Sequence, residues 1–299
     1  MNQVYVYEQS HDDRGAAFLA VNLNSEKYAR MIYCNWHKGI EFVIIRKGIL
    51  RLTVNEKSRD FSAGEIAVIN REEVHFGNPA TDETCEADVI LVDIDRLVPV
   101  GDVAVKKDLD ALIKKKIILA SAVLSENPYY IKILNCLEQM IFAYNNQQKG
   151  FEFQAASLIY ELLFYFFSSD DLLISAENSL GQDQKKIKKL NEVLLYIEEN
   201  YTRKIYIAEL ADHLFMGVDN FYKFFVSVTG VSPVNYINSF RLKQAGRLLK
   251  ESDFSVTDIC YKVGFNNISY FIKTFQRYYN YTPKQYRSLW ENQKKEDIL

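Results

Sequence analysis

The sequence has little of what a stapled, secreted or membrane-embedded chain requires. Its four cysteines, Cys34, Cys85, Cys136 and Cys260, are scattered with no Cys-x-x-Cys pairing. That argues against a disulfide or zinc framework and for structural thiols in a reducing compartment. No long apolar run is present: the most apolar stretch, 158–167, contains Glu161 and falls far short of the ~20 residues a bilayer needs. The opening Met-Asn-Gln-Val-Tyr-Val-Tyr has no basic segment followed by an apolar one, so no signal peptide is read there. A cytoplasmic protein with no membrane partner is expected.

What is present is a globular composition, 48% hydrophobic and 25% charged over 299 residues, which excludes wholesale disorder. The formal net charge of -3 hides an asymmetry: residues 183–299 carry 18 Lys+Arg against 13 Asp+Glu, and residues 1–182 carry 18 against 26. A basic segment joined to an acidic one suits a polyanion binder with a separate sensing domain.

The basic segment is organised around a unit written twice. Ile207, Leu210, Ala211, Leu214 and Met216 recur 49 positions later as Val256, Ile259, Cys260, Val263 and Phe265. Phe221, Phe225, Gly230, Pro233 and Tyr236 recur 50 positions later as Phe271, Phe275, Asn280, Pro283 and Tyr286. In each copy a short helical pattern, a turn and a second pattern with aromatics four apart read as a helix-turn-helix. Between the copies, Ser232-Pro233 opens a helix with Ser at the N-cap and Pro at N1. Carried to about Lys250, that helix is roughly 27 Å long. With flanking helix widths added, the two second helices approach the ~34 Å separation of successive major grooves on one face of B-DNA.

Arg241-Leu242, Ala245, Leu248-Leu249, Ile259-Cys260, Val263-Gly264-Phe265, Ser269-Tyr270-Phe271, Phe275 and Thr282-Pro283 resemble the AraC/XylS transcription-regulator signature over roughly the last 115 residues. The chain departs from that pattern at Asn280 for the usual Gly, at Gly217 for a Ser cap, and at Tyr206 for Ser or Thr. Asn tolerates the left-handed C-cap. The two missing caps predict a looser first unit than the second, where Ser255 and Asp258 form a capping box.

Residues 1 to about 98 read as strands, at 30–34, 41–46, 49–54, 66–70 and 89–94, broken by turns at 38–39, 47–48, 55–56, 63–64 and 78–79. Such spacing suggests a small barrel or sandwich whose mouth holds one ligand. Asn35-Trp36-His37-Lys38-Gly39-Ile40-Glu41 with Gly48, and Gly64 with His75, resemble the two motifs of cupin barrels. By that resemblance the metal-ligand positions map onto Asn35, His37, Glu41 and His75, with an amide replacing the first histidine. Three nitrogen and carboxylate ligands still suit a divalent metal. AraC-like regulators generally use this barrel as a metal-free sensor, so no metal or cofactor is expected, and His37, Glu41 and His75 are read as hydrogen-bonding one another or an organic effector. Alternation places Glu41, Val43 and Ile45 on one face, taken as inward. Tyr33 and Trp36 are candidates to stack on a sugar, and Tyr5 and Tyr7 to close over the pocket.

From about Asp108 the period turns helical. Leu109, Leu112 and Ile113, then Ile131, Leu134, Leu137, Ile141 and Tyr144, then Phe153, Ala156, Ile159, Tyr160, Leu163, Phe164 and Phe167 mark three helices, read equally as a homodimer interface or as packing on the barrel. The expected architecture is α+β and multidomain: a cupin-like β-barrel over 1–100, central helices over 101–170, a polar linker over 171–186 and an all-α double helix-turn-helix domain over 187–290.

With Phe221 and Phe225 facing inward, Asp219, Asn220, Tyr222 and Lys223 are left for the groove, and Ile268, Ser269, Ile272 and Lys273 on the second copy. Asn220 suits adenine, Asp219 a cytosine amine, and Ile268 and Ile272 thymine methyls. Lys223, Lys273 and Arg277 suit phosphates. The reading is a transcription regulator, an activator rather than an enzyme, that binds double-stranded DNA as a homodimer. A small molecule, a carbohydrate by its aromatic and charged pocket, would control it, with RNA polymerase a candidate partner. The alternative is a metal-dependent cupin enzyme carrying a DNA-binding domain.

Overall fold

Runs of β-branched residues pair into two antiparallel sheets in the first of two units, Gln9–Gln184, while the second is built over Lys185–Leu299. The computed structural model describes residues 17–25, 31–97, 103–175 and 182–296. Tyr5 and Tyr7 therefore lie outside the described residues. One sheet has the order β1-β8-β3-β6-β10, where β1 is Phe18–Ser25, β3 Ile40–Lys47, β6 Ile66–Ile69, β8 Cys85–Val92 and β10 Ala122–Val123. The other, β2-β7-β4-β5, comprises β2 Ile32–Asn35, β4 Ile49–Val54, β5 Lys57–Ser62 and β7 His75–Pro79.

Alternation along β3 sorts its two faces. The Phe42 ring lies 5.7 Å from Phe166 of α3 (Phe151–Phe167), and Arg46 pairs with Glu138 of α2 (Tyr130–Asn146) at 2.6 Å. Phe42, Ile44 and Arg46 therefore face the helices. Glu41, Val43 and Ile45 face the opposite sheet, as expected, and all three are buried.

Six strands among the described residues escape the sequence pattern: β1, β5 and β7 within the first 98 residues, and β9 (Ile117–Leu119), β10 and β11 (Leu173–Ser175) in segments read as helical or linker. The Lys-Ser-Arg-Asp run that opens β5 is exposed and carries no apolar alternation. It is a strand because Asn55 and Glu56, both at positive φ (48° and 71°), turn the chain back onto β4. Positive φ at both central residues is what a tight hairpin demands.

The α2 and α3 stripes divide between covered and exposed residues. Ile133, Cys136, Leu137, Met140, Ala143 and Tyr144 are buried on α2, and Ala155, Leu158, Ile159, Leu162, Leu163 and Phe166 on α3. Ile131, Phe153 and Phe164, on stripes read equally as a homodimer interface or as packing on the barrel, are 61%, 85% and 61% exposed. On each helix these exposed apolar side chains stand beside exposed polar ones, such as Lys132 and Gln139 on α2 and Glu152 and Gln154 on α3, so the spacing of apolar residues alone does not select the buried face. A further correction concerns 171–186, expected as linker. Leu173–Ser175 forms a strand, β11, against β9, Ile117–Leu119, seated by the buried Leu172 and Leu119.

The second unit runs α4 Gln182–Asn200, α5 Ile207–His213, α6 Val218–Thr229, α7 Pro233–Glu251, α8 Val256–Lys262, α9 Ile268–Tyr279 and α10 Pro283–Glu296. The repeat is structural. Phe225 meets Tyr236 edge-on at 5.7 Å, and its counterpart Phe275 meets Tyr286 edge-on at 5.3 Å. Asn280 and Gly230 both adopt the left-handed cap, at φ 59° and 67°. Ser232 accepts from the Asn235 N–H at 3.2 Å. Ser255 accepts from the Asp258 N–H at 3.0 Å, and its own hydroxyl donates to the Asp258 carboxylate at 2.6 Å. Tyr206 and Gly217 make no side-chain cap, whereas Asn267 caps α9.

Two arginines hold the α7 scaffold. Arg241 donates to the carbonyls of Tyr201 (2.8 Å) and Arg203 (2.7 Å), just past the end of α4. Arg287 does the same at the end of α7, to Leu249 (3.3 Å) and Phe254 (2.6 Å). Arginine donors of this kind close helix ends.

Candidate functional site

The first site lies between the facing sheets. Glu41, second residue of β3, and His75, first of β7, are fully buried, and His37 lies in the loop before β3. Glu41 Oε2 is 3.0 Å from His37 Nε2 and 3.5 Å from His75 Nε2, and the imidazoles meet edge to face at 5.0 Å. Each ring's Nδ1 faces a backbone carbonyl, Gly39 at 3.1 Å for His37 and Glu73 at 2.9 Å for His75. Asn35 stands opposite His75 in the β2–β7 register.

Burial works against the Glu41 charge, but the imidazoles, His75 foremost, outweigh it and hold the carboxyl well below its ordinary range. Burial also opposes charge on His75, yet Glu41 raises its pKa. At His37 burial prevails over Glu41 and lowers the pKa. The cluster is thus a carboxylate shared between one imidazole that favours the proton and one that releases it. A neutral His37 donates once, so it satisfies either Gly39 O or Glu41.

The donor atoms of His37, Glu41 and His75 all lie within 4.8 Å of one another, close enough to hold a metal ion. When both Nδ1–H groups go to carbonyls, both Nε2 lone pairs face Glu41, the arrangement by which backbone carbonyls orient histidine ligands.

Trp36 is half-buried and its indole N–H is buried without an acceptor among the described residues. The backbone of Tyr33 belongs to β2, and its side chain is outside the described residues. Sequence reasoning missed Arg71, 5% exposed just beyond β6. Only a charged residue at the end of an apolar strand marks it, and that signal is indistinguishable from an ordinary turn.

The second site is on the helix-turn-helix units. Asp219, Asn220, Tyr222 and Lys223 are exposed on α6, over the buried Phe221 and Phe225. On α9, Ser269, Lys273 and Arg277 are exposed and Ile268 and Ile272 half-buried, over the buried Phe271 and Phe275. Tyr270 was not among the expected groove residues, yet it is 51% exposed, and its hydroxyl accepts from the amide of Asn238 on α7 at 3.2 Å. The 50-residue step from Asn220 lands on Tyr270, so the repeat itself contained that signal. Among the described residues, no helix is long and apolar enough to cross a membrane.

Residues 27–163 match the AraC-like ligand binding domain, and residues 210–288 match a helix-turn-helix domain. RhaS of Escherichia coli, an HTH-type transcriptional activator, is 28% identical over 156 residues, 52% of this chain and 54% of its own length. The chain thus spans about half the length of the curated relatives it matches. Among solved structures, ToxT from Vibrio cholerae aligns over 91% of this chain and 98% of its own, at 18% identity and a TM-score of 0.48. The C-terminal domain of the response regulator yesN from Fusobacterium nucleatum aligns over 33% of this chain and 98% of its own, at 30% identity and a TM-score of 0.32. An AraC-like ligand-binding domain followed in one chain by a helix-turn-helix domain makes this protein a member of the AraC family of transcription regulators.

Proposed function

We propose that the chain is a transcription activator whose binding to double-stranded DNA is controlled by a small molecule, a carbohydrate or a derivative of one, held in the barrel beside His37, Glu41 and His75. One observation carries the reading: two helix-turn-helix units with polar exposed faces accompany a separate unit that buries a charged cluster between its sheets. The α6 and α9 residues read base edges, and Lys223, Lys273 and Arg277 position the backbone. Ile131, Phe142, Phe153 and Phe164, large apolar side chains exposed on α2 and α3, support pairing of two chains through these helices. The effector acts by its differential affinity for two domain arrangements. Activation rather than repression rests on the RhaS relatives.

The test is Glu41→Gln in the full chain. A charged acceptor's hydrogen bond is worth about 1.5–3 kcal/mol, so the effector concentration for half response should rise at least about tenfold while effector-free DNA affinity stays unchanged. An unaltered response in a folded variant removes the cluster from the sensing site.

A second reading is favoured by the orientation of the imidazoles. Two Nε2 atoms and a carboxylate form a set that a divalent transition metal accepts, and the chain would then be a metal-dependent cupin enzyme with a DNA-binding unit. Stoichiometric metal in the purified protein, lost in Glu41→Gln, would favour it.

A further inference from the structure

At the cluster's end of the barrel sits a buried cation that its neighbours only half satisfy. Arg71 follows β6 two residues beyond Ile69, the register partner of Glu41 on β3. The adjoining Glu72 N–H donates to His37 O at 2.8 Å, so the Arg71 turn is fastened to the cluster. The Arg71 side chain is 6% exposed and donates from Nη2 to Asp95 at 2.8 Å, a carboxylate itself 40% exposed. Its Nε and Nη1 are buried and have no acceptor among the described residues, and the same holds for Nε1 of Trp36, the residue before His37.

Buried donors without acceptors are costly, and a buried guanidinium more so than a neutral group. Trp36 adjoins His37 in the chain and Arg71 adjoins Glu72, which is bonded to His37 O; the unpartnered atoms are all donors and together carry four N–H hydrogens, and an ionised carboxylate offers about four lone-pair sites and no proton. A neutral hydroxyl matches such a set poorly, because it brings a donor of its own. Arginine's fork, by contrast, is suited to planar anions.

We infer that the barrel is built for a carboxylate-bearing effector, such as a sugar acid, whose carboxylate is bound by Arg71 with the Trp36 indole N–H beside it. This rests on the proposal that the barrel senses a small molecule and specifies that molecule's chemistry. The donors are closed to solvent in this conformation, so entry displaces the side chains that cover them.

The full chain is titrated with matched pairs that differ in the acid: glucose with glucuronate, galactose with galacturonate, and propionamide with propionate. Binding is measured by calorimetry, and the Trp36 indole N–H resonance is followed. The chain has two tryptophans, so Trp290→Phe separates the signals. The expected result is that acids, and not their neutral partners, shift the Trp36 resonance. Arg71→Met should weaken acid binding about 10- to 150-fold, and Arg71→Lys, which keeps the charge but not the fork, should fall between. Asp95 is partly exposed, so the loss of its partner is tolerated; should Arg71→Met fail to fold, Arg71→Lys and the resonance shift decide. Acid binding that is indifferent to Arg71, or binding of neutral sugars alone, overturns the carboxylate assignment and leaves the sensing role standing. Silence of both series in a chain that still binds DNA overturns the two together.

Discussion

Glu41 holds its charge in a place shut off from water because two imidazoles surround one of its oxygens, and that arrangement makes the barrel sensitive to pH. Free histidine titrates near 6.5, and His75 is raised above that value in the fold. A group with a raised folded pKa contributes stability that is full below its unfolded pKa and is lost as pH rises through the folded one. His37 is lowered, so it contributes the opposite slope, a gain of stability as pH rises, which is complete about one pH unit above the free value. The barrel's melting temperature should therefore fall as pH rises through the raised titration of His75, and that slope should disappear in Glu41→Gln; thermal melts of both proteins from neutral to alkaline pH are the check. In the second unit Gly246 is the telling residue. A methyl there would overlap the hydroxyl of the fully buried Tyr279, which itself donates to Leu242 O at 3.3 Å. Gly246→Ala should cost about 1–3 kcal/mol by overpacking, read from urea unfolding. Nothing in the helical pattern of α7 marks Gly246, because the group it avoids lies 33 residues further along the chain.

Among elements, the repeat was legible and its caps were legible with it. Ser232, Ser255 and Asn280 cap as the residue types imply, because capping depends on neighbours a few residues away. The first helix-turn-helix lacks side-chain caps at Tyr206 and Gly217, whereas the second has Ser255 and Asn267. Tyr206 already holds the extended N-cap conformation, φ -94° and ψ 139°, and is 54% exposed. Tyr206→Ser should stabilise the first unit by about 1 kcal/mol, measured as slower hydrogen exchange of the α5 and α6 amides; unchanged exchange would show that the missing cap is not the weak point. By the same repeat, the turn of the first unit places Phe215 at φ 54° where the second has Gly264 at φ 88°, a less comfortable choice for a bulky residue. Strands β1, β5 and β7 were harder to read. A strand such as β5 takes its state from the partner it pairs with rather than from its own composition.

For the whole molecule, the charge asymmetry between 1–182 and 183–299 predicts DNA binding that weakens steeply with salt, since each neutralised phosphate releases counterions. Lys223→Ala and Lys273→Ala should each reduce the slope of log affinity against log salt by about 1 and weaken all sequences alike. Asn220→Ala should instead relax preference at one base position. Affinity titrations of the full chain on a selected site and on random duplex, at several salt concentrations, separate these outcomes. A flat salt dependence would remove the assignment of the α6 and α9 faces to DNA.

The doubled unit, its aromatic core, the helix between its copies and the spacing of His37, Glu41 and His75 were determined by the sequence itself. All of them are expressed through periodicity, local caps or short motif spacing, and such interactions act over a few residues. Tertiary structure alone decided which apolar side chains of α2 and α3 are covered, since each helix carries more of them than its buried face takes up. It alone brought Arg71 to Asp95 and tied the adjoining Glu72 to His37, and it alone made Gly246 a point of closest approach. These are contacts between segments distant in sequence, and they exist only once the sheets and helices have packed.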